Sequence, residues 1–106
     1  MNLHAARGLS ALLVAAWGDP VLHHAFWAAL SVAGVNGTLE HRMQFKPARG
    51  AVHAKTGTTD EASALSGYAG DRFAFSVLQN GEPVAIRPAQ QAQDRFASAL
   101  AAMSTP

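Results

Sequence analysis

Between Ala51 and Gln79 three strand-like runs follow one another with little chain between them, and this spacing limits the fold. Parallel neighbours need a crossover of a dozen or more residues, whereas antiparallel neighbours can be joined by a tight turn. The first run, Ala51 to Thr56, is bounded by Gly50 and Gly57. In the second, Ser63 to Ala69, residues Leu65, Gly67 and Ala69 share one side. The third, Arg72 to Gln79, alternates most clearly: Phe73, Phe75 and Val77 on one face, Ala74, Ser76 and Leu78 on the other. Gly70-Asp71 is a hairpin signal and Asn80-Gly81 ends the third run. The expectation is an antiparallel sheet of about three strands.

Helical patterns flank the sheet. Asp19-Pro20 offers an N-cap acceptor followed by a ring pre-set for the first helical turn. Leu22, Ala25, Phe26, Ala29 and Leu30 then form one apolar stripe. Upstream, Leu9, Leu12, Leu13, Ala16 and Trp17 recur at helical spacing. At the other end, Pro88 to Met103 reads as a helix with Ala92, Phe96, Leu100 and Met103 on its apolar side. Residues 33–39 are punctuated by Gly34 and Gly37, and residues 43–50 read as a loop around Lys46-Pro47. The fold class is α+β, one domain over residues 1–106: helical over 1–42, sheet over 51–80, closing helix over 88–103.

Composition narrows the function classes. Eight Lys+Arg against seven Asp+Glu leave a formal charge of +1, which provides no basic footprint for nucleic acid. The absence of Cys excludes disulfides and thiolate metal sites. Hydrophobic residues make up 49%, too many for a disordered chain, but 23 of them are Ala, so the core is expected to be thin. No apolar run approaches the roughly 20 residues of a membrane span. The start, with Arg7 ahead of a short apolar stretch, has some features of a secretory leader. No clean small-x-small cleavage site follows, however, Asp19-Pro20 opens another helix at once, and an amphipathic helix is the reading adopted.

The segment with the most chemical content is His53-Ala54-Lys55-Thr56-Gly57-Thr58-Thr59. Lys55 supplies a compact cation, Thr56 a hydroxyl, and Gly57 removes the side chain that would keep a ligand off the backbone. Together they suit a carboxylate held by charge-assisted hydrogen bonds, with a strand N–H stabilising an oxyanion. The triplet alone is a weak signal, and by itself it reads rather as a solvated strand end with a turn glycine. Histidines 4, 23, 24, 41 and 53 show no ligand spacing such as His-x-x-x-His, and surface positions are expected for them. Asn36-Gly37-Thr38 matches a glycosylation sequon and equally a tight turn. Trp17, Trp27 and Tyr68 read as core or interface aromatics, and Arg42, Lys46 and Arg49 as a solvated basic loop.

Several blocks taken together point further. Ala33-Gly34-Val35-Asn36-Gly37-Thr38-Leu39, then Val52 to Thr58, then Ala64-Leu65-Ser66-Gly67-Tyr68 and Phe73-Ala74-Phe75 resemble the carboxy-terminal part of the penicillin-binding D-alanyl-D-alanine carboxypeptidases/endopeptidases of the type 4 penicillin-binding protein class. The resemblance runs from about Leu9 to Gly81 and implies the carboxy-terminal part of a β-lactamase/transpeptidase-like fold. It implies that Lys55 and Thr56 hold the substrate's terminal carboxylate beside Gly57, and that the Thr58 N–H forms half of an oxyanion hole. It further implies no cofactor and no metal, a location on the outer side of the cytoplasmic membrane, and a peptidoglycan stem peptide or β-lactam as the ligand of the complete enzyme.

The family's other two motifs are missing. None of serines 10, 31, 63, 66, 76, 98 and 104 is followed by Lys three residues later or by Asn two residues later. Neither Ser-x-x-Lys, the nucleophile with its proton acceptor, nor Ser-x-Asn is therefore present. Other departures are Thr59-Asp60-Glu61-Ala62, which brings two carboxylates near the anion site, Asn36 where the family tends to have Asp, and Ser31 where it often has Pro. The expected function is the substrate-binding strand of a serine-type D-Ala-D-Ala carboxypeptidase, inactive alone. The alternative is a non-catalytic remnant that binds muropeptide or a partner protein. Either way, an uncovered sheet edge at Lys55-Thr56-Gly57 would favour self-association or pairing with an amino-terminal part.

Overall fold

The structure, a computed structural model, describes residues 3–58, 62–80 and 85–104. Its sheet has four antiparallel strands in sequential order: β1 (Ser31–Val32), β2 (Val52–Thr58), β3 (Ala62–Ala69) and β4 (Phe73–Asn80). The three longer strands match the runs read from the alternation, shifted by a residue or two. The two-residue β1 carries no periodicity and was not anticipated. Gly70, at φ +62°, begins the turn from β3 into β4. Among the described residues, three α-helices cover the sheet: α1 (Leu3–Trp17), α2 (Pro20–Ala29) and α3 (Ile86–Ser104).

Strand alternation divides the sheet between two layers. On one face Val52, Ala54, Leu65, Ala69 and Phe75 form the core with Leu39, Ala48 and, from α3, Ala97 and Ala101. Each fully buried Leu or Val contributes about 1.5–3 kcal/mol. The buried line of α3 is Ala89, Gln93, Ala97 and Ala101. The expected stripe of Ala92, Phe96, Leu100 and Met103 is therefore displaced. Phe96 and Met103 are exposed, and Phe96 meets the edge of Phe75 at 6.1 Å. Small residues face the sheet because they let the helix axis come close, and the larger ones are pushed to its flank.

Gln93 is the one polar side chain in that line. Its amide nitrogen donates to Ser63 Oγ at 3.0 Å and to Gln79 Oε1 at 3.2 Å. Its oxygen accepts from Arg42 Nη2 at 3.3 Å, and Arg42 pairs with Asp94 at 2.6 Å. Arg42 is therefore not part of a solvated basic loop. Its guanidinium fastens the segment after Leu39 to α3 through a partly buried, charge-assisted network.

The other face packs on α1 and α2 through aromatic rings. Asp19 caps α2, Oδ1 accepting from Val21 N at 3.0 Å and Leu22 N at 3.2 Å. The inward side of α2 carries His23 and Trp27, while Leu22, Ala25 and Ala29 of the expected stripe are exposed. His23 stacks on Trp17 with centroids 4.1 Å apart, and Trp27 stacks on His53 of β2 at 3.8 Å. Two of the histidines expected at the surface are thus half-buried ring partners. Tyr68 donates its hydroxyl to the Leu13 carbonyl at 2.8 Å, tying α1 to β3.

Gly67 permits the β2–β3 pairing. It stands opposite Ala54, and a Cβ on it would overlap the His53 carbonyl and lie 2.6 Å from Ala54 Cα. Both obstacles are backbone, so the strands would have to separate. Gly67→Ala is expected to cost at least about 2 kcal/mol by urea unfolding. A second expectation concerns pH. Burial pushes the His53 imidazole below its ordinary pKa of 6.5. The unfolded chain therefore takes up the proton first as pH falls. The contribution of neutral His53 is complete above about pH 6.5 and is lost progressively below it. Replacing it by Phe keeps a ring on Trp27, so the fall in thermal midpoint between about pH 6.5 and about pH 5 should be shallower in His53→Phe than in the parent chain.

Candidate functional site

The exposed edge of β2 follows from hydrogen-bond parity. Ala51 O accepts from Gly70 N on the β3 side at 2.8 Å, and Val52 O accepts from Ala33 N on the β1 side at 2.9 Å. Backbone groups of successive strand residues point to opposite sides, so Ala54, Thr56 and Thr58 direct theirs toward β1. The register between β2 and β3 runs unbroken from Val52 to Thr58, with no bulge to change this parity. β1 pairs only with His53 and Ala54, because the chain before Ser31 is the end of α2. From Thr56 to Thr58, β2 therefore has no strand neighbour on that side among the described residues. The Thr58 N–H and the Thr56 carbonyl lie on this open edge.

Side chains meet the edge from both faces. Lys55 projects to the α1–α2 face, is exposed, and curls back so that Nζ donates to Thr56 O at 2.6 Å. Its ammonium thus sits on the edge itself. No ion pair involves it among the described residues. It borders a groove of about 460 Å³ walled by Leu9, Leu12, Phe26 and Leu30, with Gly57 on the strand side. A Cβ on Gly57 would meet nothing within 4 Å. Unlike Gly67, Gly57 is not required by packing inside the chain.

Thr56 projects to the opposite face from Lys55, which differs from two side chains converging directly on one anion. Its hydroxyl donates to Thr38 Oγ1 at 3.1 Å. Thr38 follows Gly37, whose φ of +59° begins the short 3₁₀ turn Gly37–Leu39. Thr38 N donates to Ser31 Oγ at 3.2 Å, and the two hydroxyl oxygens lie 3.3 Å apart. Asn36 Oδ1 accepts from Val32 N at 2.9 Å, so the sequon segment is built as a turn. The Ser31–Thr38–Thr56 hydroxyl cluster was not singled out from the sequence, where no spacing signal joins residues eighteen apart. Asp60 and Glu61, the two carboxylates noted near the motif, lie outside the described residues.

Among the described residues no group of three His, Cys, Asp or Glu side chains is gathered, and no helix is long and apolar enough to cross a membrane. What the site offers is one cation, the outward backbone N–H groups of Thr56 and Thr58, a hydroxyl and an apolar wall. Such a set suits an extended ligand with an anionic end lying along a strand.

Comparison with known proteins agrees with the motif pattern. Residues 1–102 match the model of the D-Ala-D-Ala carboxypeptidase 3 (S13) family. A D-alanyl-D-alanine carboxypeptidase from Actinomadura sp. (strain R39) is 45% identical over 74 residues, covering 58% of this chain. The chain spans only a small part of that relative, since the matched region is 14% of its length. With nearly all of its residues matched by the family model, the chain belongs to the D-Ala-D-Ala carboxypeptidase 3 (S13) family.

Proposed function

We propose that this chain provides the Lys-Thr-Gly substrate-binding strand of a serine-type D-Ala-D-Ala carboxypeptidase acting on peptidoglycan in the cell envelope. On this reading its 106 residues make up one partial transpeptidase-like domain. The observation that carries the reading is the open edge of β2 over Thr56–Thr58 with the Lys55 ammonium drawn onto it. A peptide stem, or the β-lactam that imitates it, lies along this edge. Lys55 holds the terminal carboxylate, Thr56 hydrogen-bonds it, and Gly57 keeps the way clear. The Thr58 N–H stabilises the oxyanion that forms when a serine attacks the scissile carbonyl. No organic cofactor or metal enters that acyl transfer.

The chain contains neither Ser-x-x-Lys nor Ser-x-Asn, so it has no activated nucleophile of this type and does not hydrolyse the substrate by itself. A second reading, a binding module without catalysis, is favoured by one observation: among the described residues no strand covers the edge, in a chain without Ser-x-x-Lys. Titration of an acyl-D-Ala-D-Ala peptide into the chain alone separates the two. Under the first reading no saturation is seen up to millimolar peptide. Saturable binding lost in Lys55→Ala establishes the module.

The enzymatic reading has its own test. A separately produced family polypeptide carrying Ser-x-x-Lys and Ser-x-Asn is mixed with this chain, and acylation by a fluorescent penicillin is followed. Acylation is expected only in the mixture, reduced about 100-fold or more by Lys55→Ala. Gly57→Ala is expected to leave urea stability within about 0.5 kcal/mol of the parent while reducing acylation, because only a ligand occupies that space. Acylation that is indifferent to both substitutions would refute the assignment.

A further inference from the structure

The hydroxyl of Thr56 has one proton, and in this structure it is given to Thr38 Oγ1 at 3.1 Å. In that state Thr56 presents only lone pairs to a ligand. A carboxylate accepts hydrogen bonds and donates none, so it gains nothing from Thr56 until that proton turns outward. Turning it leaves the 3.1 Å contact with two acceptor oxygens facing each other unless Thr38 becomes the donor. Thr38 is a stronger donor when its own oxygen accepts a hydrogen bond from behind.

Ser31 supplies that support. Its Oγ already accepts the Thr38 backbone N–H at 3.2 Å, which engages one lone pair and leaves its proton available. The Ser31 and Thr38 hydroxyl oxygens are 3.3 Å apart, and either one is placed to donate. Gly37 makes this approach feasible, since a Cβ there would collide with Ser31 Oγ and lie 3.0 Å from Ser31 Cβ. With Ser31 donating to Thr38 and Thr38 donating to Thr56, every hydroxyl keeps one donor bond, and the Thr56 proton points to the edge. No proton is transferred between residues; each O–H rotates, and the Thr38 side chain also reorients slightly, because in this structure only Thr56 is aligned to donate across the Thr56–Thr38 contact. Hydrogen bonds aligned head to tail polarise one another, so the terminal donor becomes stronger.

We propose that Thr38 and Ser31 are positioning residues for the carboxylate site: they form a reversible hydroxyl chain that holds Thr56 and turns its proton outward when a carboxylate-ended ligand lies on the β2 edge. This inference rests on the assignment of a carboxylate to Lys55 and Thr56. It adds two residues outside the Lys-Thr-Gly triplet and predicts the sign of their effect.

The test combines a rotamer readout with ligand binding. Thr38→Val keeps the shape of the side chain and removes the hydroxyl, Thr38→Ser restores a hydroxyl, and Ser31→Ala removes the far end of the chain. In the ligand-free protein, three-bond couplings report the Thr56 χ1 angle. A single rotamer is expected in the parent and in Thr38→Ser, with averaging in Thr38→Val. A fixed Thr56 rotamer in Thr38→Val overturns the positioning role. Binding is measured by chemical-shift titration of N-acetyl-D-alanine up to tens of millimolar, with its carboxamide as the uncharged control. The expected result is acid binding weakened about fivefold or more in Thr38→Val and Ser31→Ala, recovered in Thr38→Ser, with little response to the amide. Unchanged or tighter acid binding in Thr38→Val overturns the donor reversal while leaving the carboxylate assignment intact. If the parent chain fails to bind the acid even at tens of millimolar, the donor reversal is overturned as a property of this chain, while the carboxylate assignment stands or falls with the acylation test in the mixture.

Discussion

The handover from α2 to the sheet governs what the rest of the molecule exposes. α2 holds its helical path to Ala29, Leu30 becomes extended, and β1 begins at Ser31 with room for only two strand residues before Gly34 turns the chain at φ +70°. A longer β1 would have paired with Lys55 and its successors and sealed the edge. A shorter one would have left Val52 and Ala54 without their outer partners. On its outer side β2 is paired over its first half and, among the described residues, has no strand neighbour over its second. The Lys-Thr-Gly triplet falls where pairing stops.

Two glycines in neighbouring strands show how packing and function separate. Gly67 is demanded from within, because backbone atoms of β2 occupy the volume its side chain would need. Gly57 faces open space and answers to nothing in the chain itself. A glycine inside a strand weakens it and gives no side chain to pack. Retaining one where the interior does not require it points to an approaching backbone or ligand. Exposure of Lys55 excludes a buried ion pair as its role and leaves the solvated strand end as the structural alternative to a ligand site. Lys55 stands at the rim of a groove.

The sequence made the sheet legible because β-alternation has a short period and its turn residues are distinctive. Phe73, Phe75 and Val77 share a face, and Gly70 makes the turn. The helical faces were less legible. In an alanine-rich helix the large residues attract attention, but close packing selects the small ones, so Ala89, Gln93, Ala97 and Ala101 are buried while Phe96 stays outside. Gln93 was invisible to a search for apolar periodicity because its burial is compensated by Ser63, Gln79 and Arg42. At the site, Lys55, Thr56 and Gly57 could be found as neighbours in sequence. Ser31 and Thr38 are brought to Thr56 only by the turn at Gly37, which no local pattern connects to β2.

On the proposed reading, the energetics of the edge lead to weak binding by this chain alone. Lys55 is already hydrogen-bonded to the Thr56 carbonyl, and Thr56 to Thr38, so an incoming carboxylate exchanges bonds as well as adding them. A charge-assisted hydrogen bond contributes about 1.5–3 kcal/mol net when its partners are otherwise solvated. Exposure of Lys55 moves its contribution toward the lower end, as screening does for surface ion pairs. Millimolar affinity corresponds to about 4 kcal/mol, which one exposed cation, one hydroxyl and the strand N–H groups barely supply after ordering of the ligand. Tight binding therefore requires walls that exclude water from the edge and strengthen the same contacts by lowering the local dielectric. The groove beside Lys55 supplies one such wall through Leu9, Leu12, Phe26 and Leu30. On the proposed reading, a second wall bearing the serine would complete the enclosure and bring the nucleophile with it, so that affinity and catalysis would arise together from closing the same cleft.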